Sequence, residues 1–283
     1  IIMETELWPN LYRLCSEGGT PLLIVNGRIS SKTLRAPRWV RRLYRDCLQR
    51  TAEVLTRSER DRERFLRLGA DPTRCRVVGN IKFAVLDYAP PAPIELGRNY
   101  VVAASTREDE EVLIVEAWQK SGRNELLVIV PRHPQRLDAI LNDLEPYRLK
   151  TAVRSRHEQP EADIRLYIAN TFGELRGFMA GAQLVFMGGS LVAKGGHNIL
   201  EPAALGRAVI TGPHMENFSE ETETLLQGRG LVQVQSVEEL GEAFAELLTD
   251  DTQRKELGEN ARATLAQQAD VVERYLQAIK EYL

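Results

Sequence analysis

An α/β fold built on parallel sheets is predicted by three features of this 283-residue sequence. Short β-branched runs alternate with amphipathic stretches along almost the whole chain, the pattern of strands joined by crossover helices. Several strand-like runs, above all "LLVIV" at 126–130, are apolar without alternation, as strands covered on both faces must be. The series is interrupted once, by "YAPPAPIELG" at 88–97, where three prolines mark a linker between two units.

The first series reads as a strand over 21–28, a helix over 37–50, a strand over 53–56, a helix over 58–69 closed by Gly69, and a strand over 75–80. Ile1 and Ile2 read as the tail of a strand already under way, so this unit is expected to be incomplete at its start. The second series has strands over 100–105, 126–130, 165–169, 183–189, 207–212 and 231–234, with helices between most of them. Its first helix, 108–121, opens on acidic residues, and 237–283 reads as three amphipathic helices. Two Rossmann-like units are therefore expected, over residues 1–90 and 91–268, with a last helix over 269–283 packing back on the first. In open α/β sheets ligands sit beyond the carboxyl ends of the strands. Two such units facing each other enclose a cleft, so the chemistry is expected in strand-to-helix loops.

Composition narrows the function. The 37 Lys and Arg against 40 Asp and Glu leave a net charge of −3, which excludes a nucleic-acid binder by bulk charge. The three widely spaced cysteines form no CxxC pair or disulfide framework, pointing to a reduced, cytoplasmic setting. The four histidines show no HxH or HxxxH spacing, so no metal site is expected. No apolar run reaches the roughly 18 residues of a membrane span.

Four loops carry candidate chemistry. "VPRHPQR" (130–136) places Arg132 and His133 at a strand's carboxyl end, before Pro134 opens a helix. A guanidinium there suits a phosphate because its planar fork meets two oxygens at once; a surface Arg capping a neighbouring helix is the other reading. "NTFGELRGF" (170–178) has Thr171 and Glu174 at the spacing of a capping box, which explains both without a ligand. Gly173 is not required by that box and lets a ligand approach the backbone.

"MGGSLVAKGGHN" (187–198) ends a strand on Gly188 and Gly189 and precedes a helix with Gly195 and Gly196. Exposed N–H groups at a helix start stabilise a phosphate, although a glycine pair taken alone reads first as a turn. Asn198 and Glu201 share one face of that first turn, where the carboxylate is placed to accept bonds from ribose hydroxyls. The fourth loop, "TGPHMENF" (211–218), offers His214 and Asn217 to a sugar or phosphate, or simply to solvent.

Taken in order, "METELWPN", "NGRIS", "GNIKF", "STREDEE", "VPRHPQR", "FGEL", "MGGSL", "GGHNILEPAALG" and "GPHMENF" resemble the 3-deoxy-D-manno-octulosonic acid (Kdo) transferase family of lipopolysaccharide assembly over nearly the whole chain. The resemblance implies a GT-B fold and an inverting glycosyltransferase that uses CMP-Kdo as co-substrate, with no metal or other cofactor. The acceptor it implies is a lipid A precursor at the cytoplasmic face of the inner membrane. Its CMP contacts map onto Pro131 and Arg132, onto Gly173, Glu174 and Leu175, and onto Asn198, Ile199, Leu200 and Glu201. Ser105, His133, Gly189, Ser190, Gly196, His197, His214 and Asn217 are further candidates for the sugar or phosphate.

The family's chain starts earlier, with an anchoring segment and a Glu that serves as base. Here "STREDEE" stands where the family writes "STHEGEE", with Arg107 and Asp109 at the changed places, and Gln183 replaces a common Asp. Inverting transfer needs a base for the acceptor hydroxyl and positive partners for the leaving phosphate. Glu6 is the candidate base within this chain and Lys82 a candidate partner of the charge; a helix-start acid and a surface Lys are their plain alternatives.

Residues 28–50 carry eight Lys or Arg against one acid, Asp46. Apolar residues recur at Trp39, Val40, Leu43, Tyr44, Cys47 and Leu48, so the helix either packs with a solvated basic face or meets anionic headgroups. Glu4, Arg28, Arg38, Arg41, Arg42 and Arg45 are the candidate acceptor and membrane face. A shortened homologue that binds CMP without catalysis, and a GT-B enzyme using another nucleotide sugar, are the alternative functions.

Overall fold

The computed structural model describes residues 1–4, 6–87 and 89–283; Thr5, and Tyr88 at the head of the expected linker, lie outside the described residues. The chain divides into two compact units, Ile1–Ala84 with Gln268–Leu283, and Val85–Gln267.

In the first unit β1 (Ile2–Met3), α1 (Pro9–Glu17), β2 (Leu23–Gly27), α2 (Ser31–Leu34), α3 (Arg38–Leu48), β3 (Glu53–Thr56), α4 (Glu59–Leu68) and β4 (Cys75–Val77) follow one another. The strands form one parallel sheet in the order β1-β2-β3-β4. Successive side chains alternate between two buried faces. Ile24 and Val54 join Tyr12, Leu48, Phe65 and Leu68 on one, and Val25 and Leu55 join Val78 on the other. That double burial is why these strands read as continuous apolar runs. The Ser58 hydroxyl caps the start of α4 by accepting the Asp61 N–H at 3.2 Å, and Gly69 ends it at φ +102°, where a Cβ is strained. β4 stops at Val77, short of the Asn80 read from the sequence. Asn80 instead turns the chain, accepting the Lys82 N–H at 3.2 Å, while Asn26 accepts the Ile81 N–H at 3.2 Å.

The second unit runs through β5 (Tyr100–Thr106), α5 (Glu110–Lys120), β6 (Leu126–Pro131), α6 (Leu137–Leu144), β7 (Thr151–Val153), β8 (Leu166–Ile168), α7 (Leu175–Gly181), β9 (Leu184–Met187), α8 (Leu200–Ala204), β10 (Ala208–Thr211), α9 (Ser219–Gln227), β11 (Val232–Gln233), α10 (Val237–Thr249) and α11 (Asp251–Ala266). Its seven strands are parallel, in the order β11-β10-β9-β5-β6-β8-β7. On one face Val101, Ala103, Leu127, Ile129, Phe186 and Ile210 pack against α5 and α10, where Trp118 meets Phe244 edge-on with centroids 5.3 Å apart. Each such large side chain contributes roughly 1.5–3 kcal/mol by leaving water.

The chain moves outward from β5 on the β6 side, then returns to lay down β9 on the opposite side of β5. The carboxyl ends of β5 and β9 are therefore the topological switch point of this sheet.

Helix α12 (Val271–Lys280) belongs to the first unit. Val271, Tyr275 and Ala278, spaced by four and three, cover the face that carries Val25 and Leu55, and the Tyr275 hydroxyl donates to the Gly79 carbonyl at 2.7 Å.

Candidate active site

The loops that carry candidate residues leave the carboxyl ends of β5, β6, β8, β9 and β10. The first and fourth are joined by Glu110. Its fully buried carboxylate accepts backbone N–H groups from Gly189 at 2.6 Å, Leu191 at 2.9 Å, Ser190 at 3.0 Å and Arg107 at 3.1 Å. Burial pushes the Glu110 carboxyl above the usual carboxylate range, and the four N–H groups pull against that shift. Next to it Glu111 accepts the Thr106 hydroxyl at 2.9 Å and a two-pronged contact from Arg136 at 2.9 and 3.3 Å.

This arrangement corrects the expectation that Gly189 and Ser190 meet a sugar or phosphate through their N–H groups, because Glu110 already occupies both. The Ser190 side chain is buried too, its hydroxyl donating to the Met187 carbonyl at 2.5 Å and accepting the Gly212 N–H at 2.8 Å. Gly189 is a glycine for a second reason. At φ +70°, a Cβ there would lie 2.9 Å from the His197 ring. Ser105, at the bulge between Ala104 and Thr106, is buried with φ +56°, and turns the chain from β5 toward Arg107.

Basic groups gather at the switch point. Pro131 is buried within β6, and the Arg132 side chain leaves the strand exposed, with no hydrogen bond or ion pair to a described residue. Arg107 Nη1 lies 3.1 Å from His133 Nε2. His197 Nε2 is buried with no partner. Burial, and then the positive neighbours Arg132, Arg107 and His133, push the His197 imidazole down to about 4.

After β8, Gly173 sits at φ +81° with empty space where a Cβ would be, and Phe172 beside it is 84% exposed. The expected capping box does not form. Thr171 bonds the Glu174 carboxylate rather than a helix N–H, and Glu174 is itself the residue before α7. Glu174 faces Arg154, whose Nη2 and Nε donate at 2.7 and 3.2 Å. Arg154, then the Thr171 hydroxyl, hold the Glu174 carboxyl below its usual range. A tertiary cation has won the side chain from the local motif. Leu175 is half-buried, opening α7.

After β9, Asn198 Nδ2 donates to Glu201 Oε1 at 3.0 Å, while its Oδ1 accepts the Leu200 N–H at 3.1 Å. The two side chains meet across a turn and not on one helical face, since the helix starts only at Leu200 and Asn198 precedes it. Ile199 and Leu200 are buried, and the Leu200 N–H is already taken by Asn198. Gly196 is shaped by packing, since a Cβ there would fall 2.2 Å from Met215 Sδ. The β10 loop braces this turn. The Asn217 N–H donates to the Gly195 carbonyl at 3.0 Å and its side-chain amide to the Lys194 carbonyl at 3.3 Å. The His214 N–H donates to the Ser190 carbonyl at 3.0 Å, and its ring stands 3.5 Å from Glu216.

The remaining candidates lie in the first unit. Glu4 pairs with Arg28 at 3.7 Å, and Glu6 is exposed, accepting the Trp8 indole N–H at 3.1 Å. Lys82 follows β4, its backbone held by Asn80. Arg38, Arg41, Arg42 and Arg45 line a groove with Arg67 and Asp46. The apolar stripe read for α3 is only partly core: Cys47 and Leu48 are buried, whereas Trp39 is 71% exposed and Leu43 is exposed too. Among the described residues no three His, Cys, Asp or Glu side chains gather as a metal-ligand group. No described helix is long and apolar enough to cross a membrane.

Residues 1–85 match a family model described as 3-deoxy-D-manno-octulosonic-acid transferase (kdotransferase). The whole chain aligns with the 3-deoxy-D-manno-octulosonic acid transferases of Bordetella pertussis, at 30% identity, and Rickettsia bellii, at 31%, and spans 69% of each. The chain belongs to the Kdo transferase family. It spans 63% of another member, from Rickettsia felis, at 32% identity. The crystal structure of the C-terminal CMP-Kdo binding domain of WaaA from Acinetobacter baumannii superposes with a TM-score of 0.57 at 31% identity, covering 59% of this chain and 89% of that domain. Anabaena Alr3699/HepE in complex with UDP matches at 13% identity and a TM-score of 0.58, over 96% of this chain and 75% of that one. At that identity the likeness concerns the fold, which is of the GT-B type. The Kdo transferase family is one of glycosyltransferases.

Two residues that shape these loops, Glu110 and Arg154, escape sequence reading. Glu110 registers only as one acid in a helix start, and nothing in "VRSRHE" points Arg154 at Glu174.

Proposed function

We propose that this chain binds CMP-Kdo in its second unit and transfers Kdo to a lipid A precursor, with inversion and without a divalent metal. The observation that carries the reading is Arg132, a guanidinium at the carboxyl end of β6 with no partner among the described residues, in the same row of loops as the Asn198–Glu201 pair. In this reading Arg132 holds the phosphate, Glu201 accepts from the ribose hydroxyls, and the backbone around Gly173 and Leu175 lies against the nucleotide. The acceptor hydroxyl oxygen bonds the anomeric carbon as the bond to phosphate breaks. Its proton passes to a carboxylate base and CMP leaves with the bonding pair. Arg132 stabilises the charge that develops on the phosphate. Glu6 is the proposed carboxylate within this chain.

The arginine-lined groove of α3, with Trp39 standing outward, supports a further part of the reading. This face is proposed to lie against anionic headgroups at the cytoplasmic side of the inner membrane. The test is transfer of Kdo from CMP-Kdo to a lipid A precursor on anionic vesicles, in EDTA. Formation of the Kdo-bearing lipid, abolished in Arg132→Ala, is the expected result. Transfer that requires added metal, or is unaffected by Arg132→Ala, contradicts the reading.

A further inference from the structure

Two guanidinium groups leave the carboxyl ends of β5 and β6, and neither Arg107 nor Arg132 has a carboxylate partner among the described residues. Glu108 and Asp109, next to Arg107 in sequence, form no ion pair with it, and Glu110 is closed off by four backbone N–H groups. Arg107 instead meets His133 Nε2 at 3.1 Å. The ring of His197 lies against Gly189, and its Nε2 is buried without a partner. A buried polar nitrogen left unbonded is costly. Three basic side chains, Arg107, Arg132 and His133, are its charged neighbours, and none of them has a carboxylate partner among the described residues, a setting that suits an anion. The site sits at the switch point of the sheet, where ligands of such folds bind.

The donor proposed above carries two acidic groups, the phosphate that joins CMP to the sugar and the carboxylate that makes the sugar an octulosonic acid. One planar fork serves one of them. We propose that Arg107, His133 and His197 form a second anion subsite, which takes the carboxylate of an acidic donor sugar beside the phosphate held by Arg132. This inference rests on the CMP-Kdo reading. It explains why His197 is buried among cations. A neutral imidazole tolerates that field, and its Nε2 would find a partner in the carboxylate. It also makes the subsite selective, since a neutral sugar would leave Arg107 and the His197 nitrogen unmatched.

The experiment is calorimetry on the full chain with three probes: CMP, a non-transferable C-glycosidic analogue of CMP-Kdo, and the carboxamide form of that analogue. The native chain is expected to prefer the carboxylate over the carboxamide by roughly 10- to 100-fold, the range of a charge-assisted contact. Arg107→Gln should bring the two analogues to within about threefold of each other while CMP still binds, and Arg107→Lys should restore part of the preference, a charge without the fork. A preference that survives Arg107→Gln overturns the subsite. Equal weakening of CMP and both analogues also overturns it and makes Arg107 a second phosphate contact. Failure of the native chain to bind CMP overturns the donor reading and the subsite together, whereas CMP binding with no carboxylate preference overturns the subsite alone.

Discussion

The Glu110 carboxylate accepts the Gly189 N–H at 2.6 Å, tying the first turn of α5 to the loop after β9. With the further bonds from Ser190, Leu191 and Arg107, one buried side chain fixes the geometry of both loops at the switch point. Glu110→Gln keeps the shape but turns an amide N–H₂ toward backbone donors. We expect a loss of about 2–4 kcal/mol in urea unfolding, because buried N–H groups lose their acceptor. A variant as stable as the native chain would show that the loop holds itself.

The His197 imidazole, pushed down to about 4 by burial and its cationic neighbours, stands below an ordinary histidine near 6.5. Between those values the unfolded chain binds more protons than the folded one, so stability falls as pH drops through that window. This contribution is fully present above about pH 6.5 and lost by about pH 4. Urea unfolding across the window should show a shallower fall for His197→Asn than for the native chain. Identical slopes would remove His197 as the cause.

The Asn198–Glu201 contact leaves the second Glu201 oxygen for ribose hydroxyls. Glu201→Gln replaces charged acceptance by neutral acceptance, a difference of about 1 kcal/mol or roughly fivefold in CMP affinity. The 2′,3′-dideoxy form of CMP should bind both chains alike. A parallel loss for both ligands would make Glu201 a structural cap.

On α3, Arg41 and Arg42 line the groove and are exposed. Removing both charges as Arg41→Gln and Arg42→Gln should weaken sedimentation with anionic vesicles by about 1 kcal/mol each, with no effect on neutral vesicles. Undiminished binding to anionic vesicles would place the membrane face elsewhere.

Elements with strong periodicity or a clear stop were legible in the sequence. β3 matches its predicted bounds, and α4 ends at Gly69, where φ is +102°. The three-residue edge strand β7 was not legible, because three residues carry no period. In the site, the residues that meet through local turns could be read. Asn198 and Glu201 touch because an Asx turn leads directly into α8. Residues whose partners are distant could not. Thr171 and Glu174 have the spacing of a capping box, yet Arg154, twenty residues upstream of Glu174, takes the carboxylate. Gly189 and Ser190 looked free for a phosphate because their true acceptor, Glu110, lies 79 and 80 residues away. The burial of the His197 nitrogen is likewise a product of packing against Gly189, which no local pattern encodes.

The central claim, a donor site organised by Arg132, is tested most directly by calorimetry with CMP and cytidine in EDTA, on the native chain and Arg132→Ala. The account predicts metal-free CMP binding that weakens roughly 10- to 100-fold in the variant, while cytidine affinity changes less than about twofold, since the lost contact is to phosphate alone. Equal weakening of both ligands, or CMP binding that disappears under chelation, would contradict it.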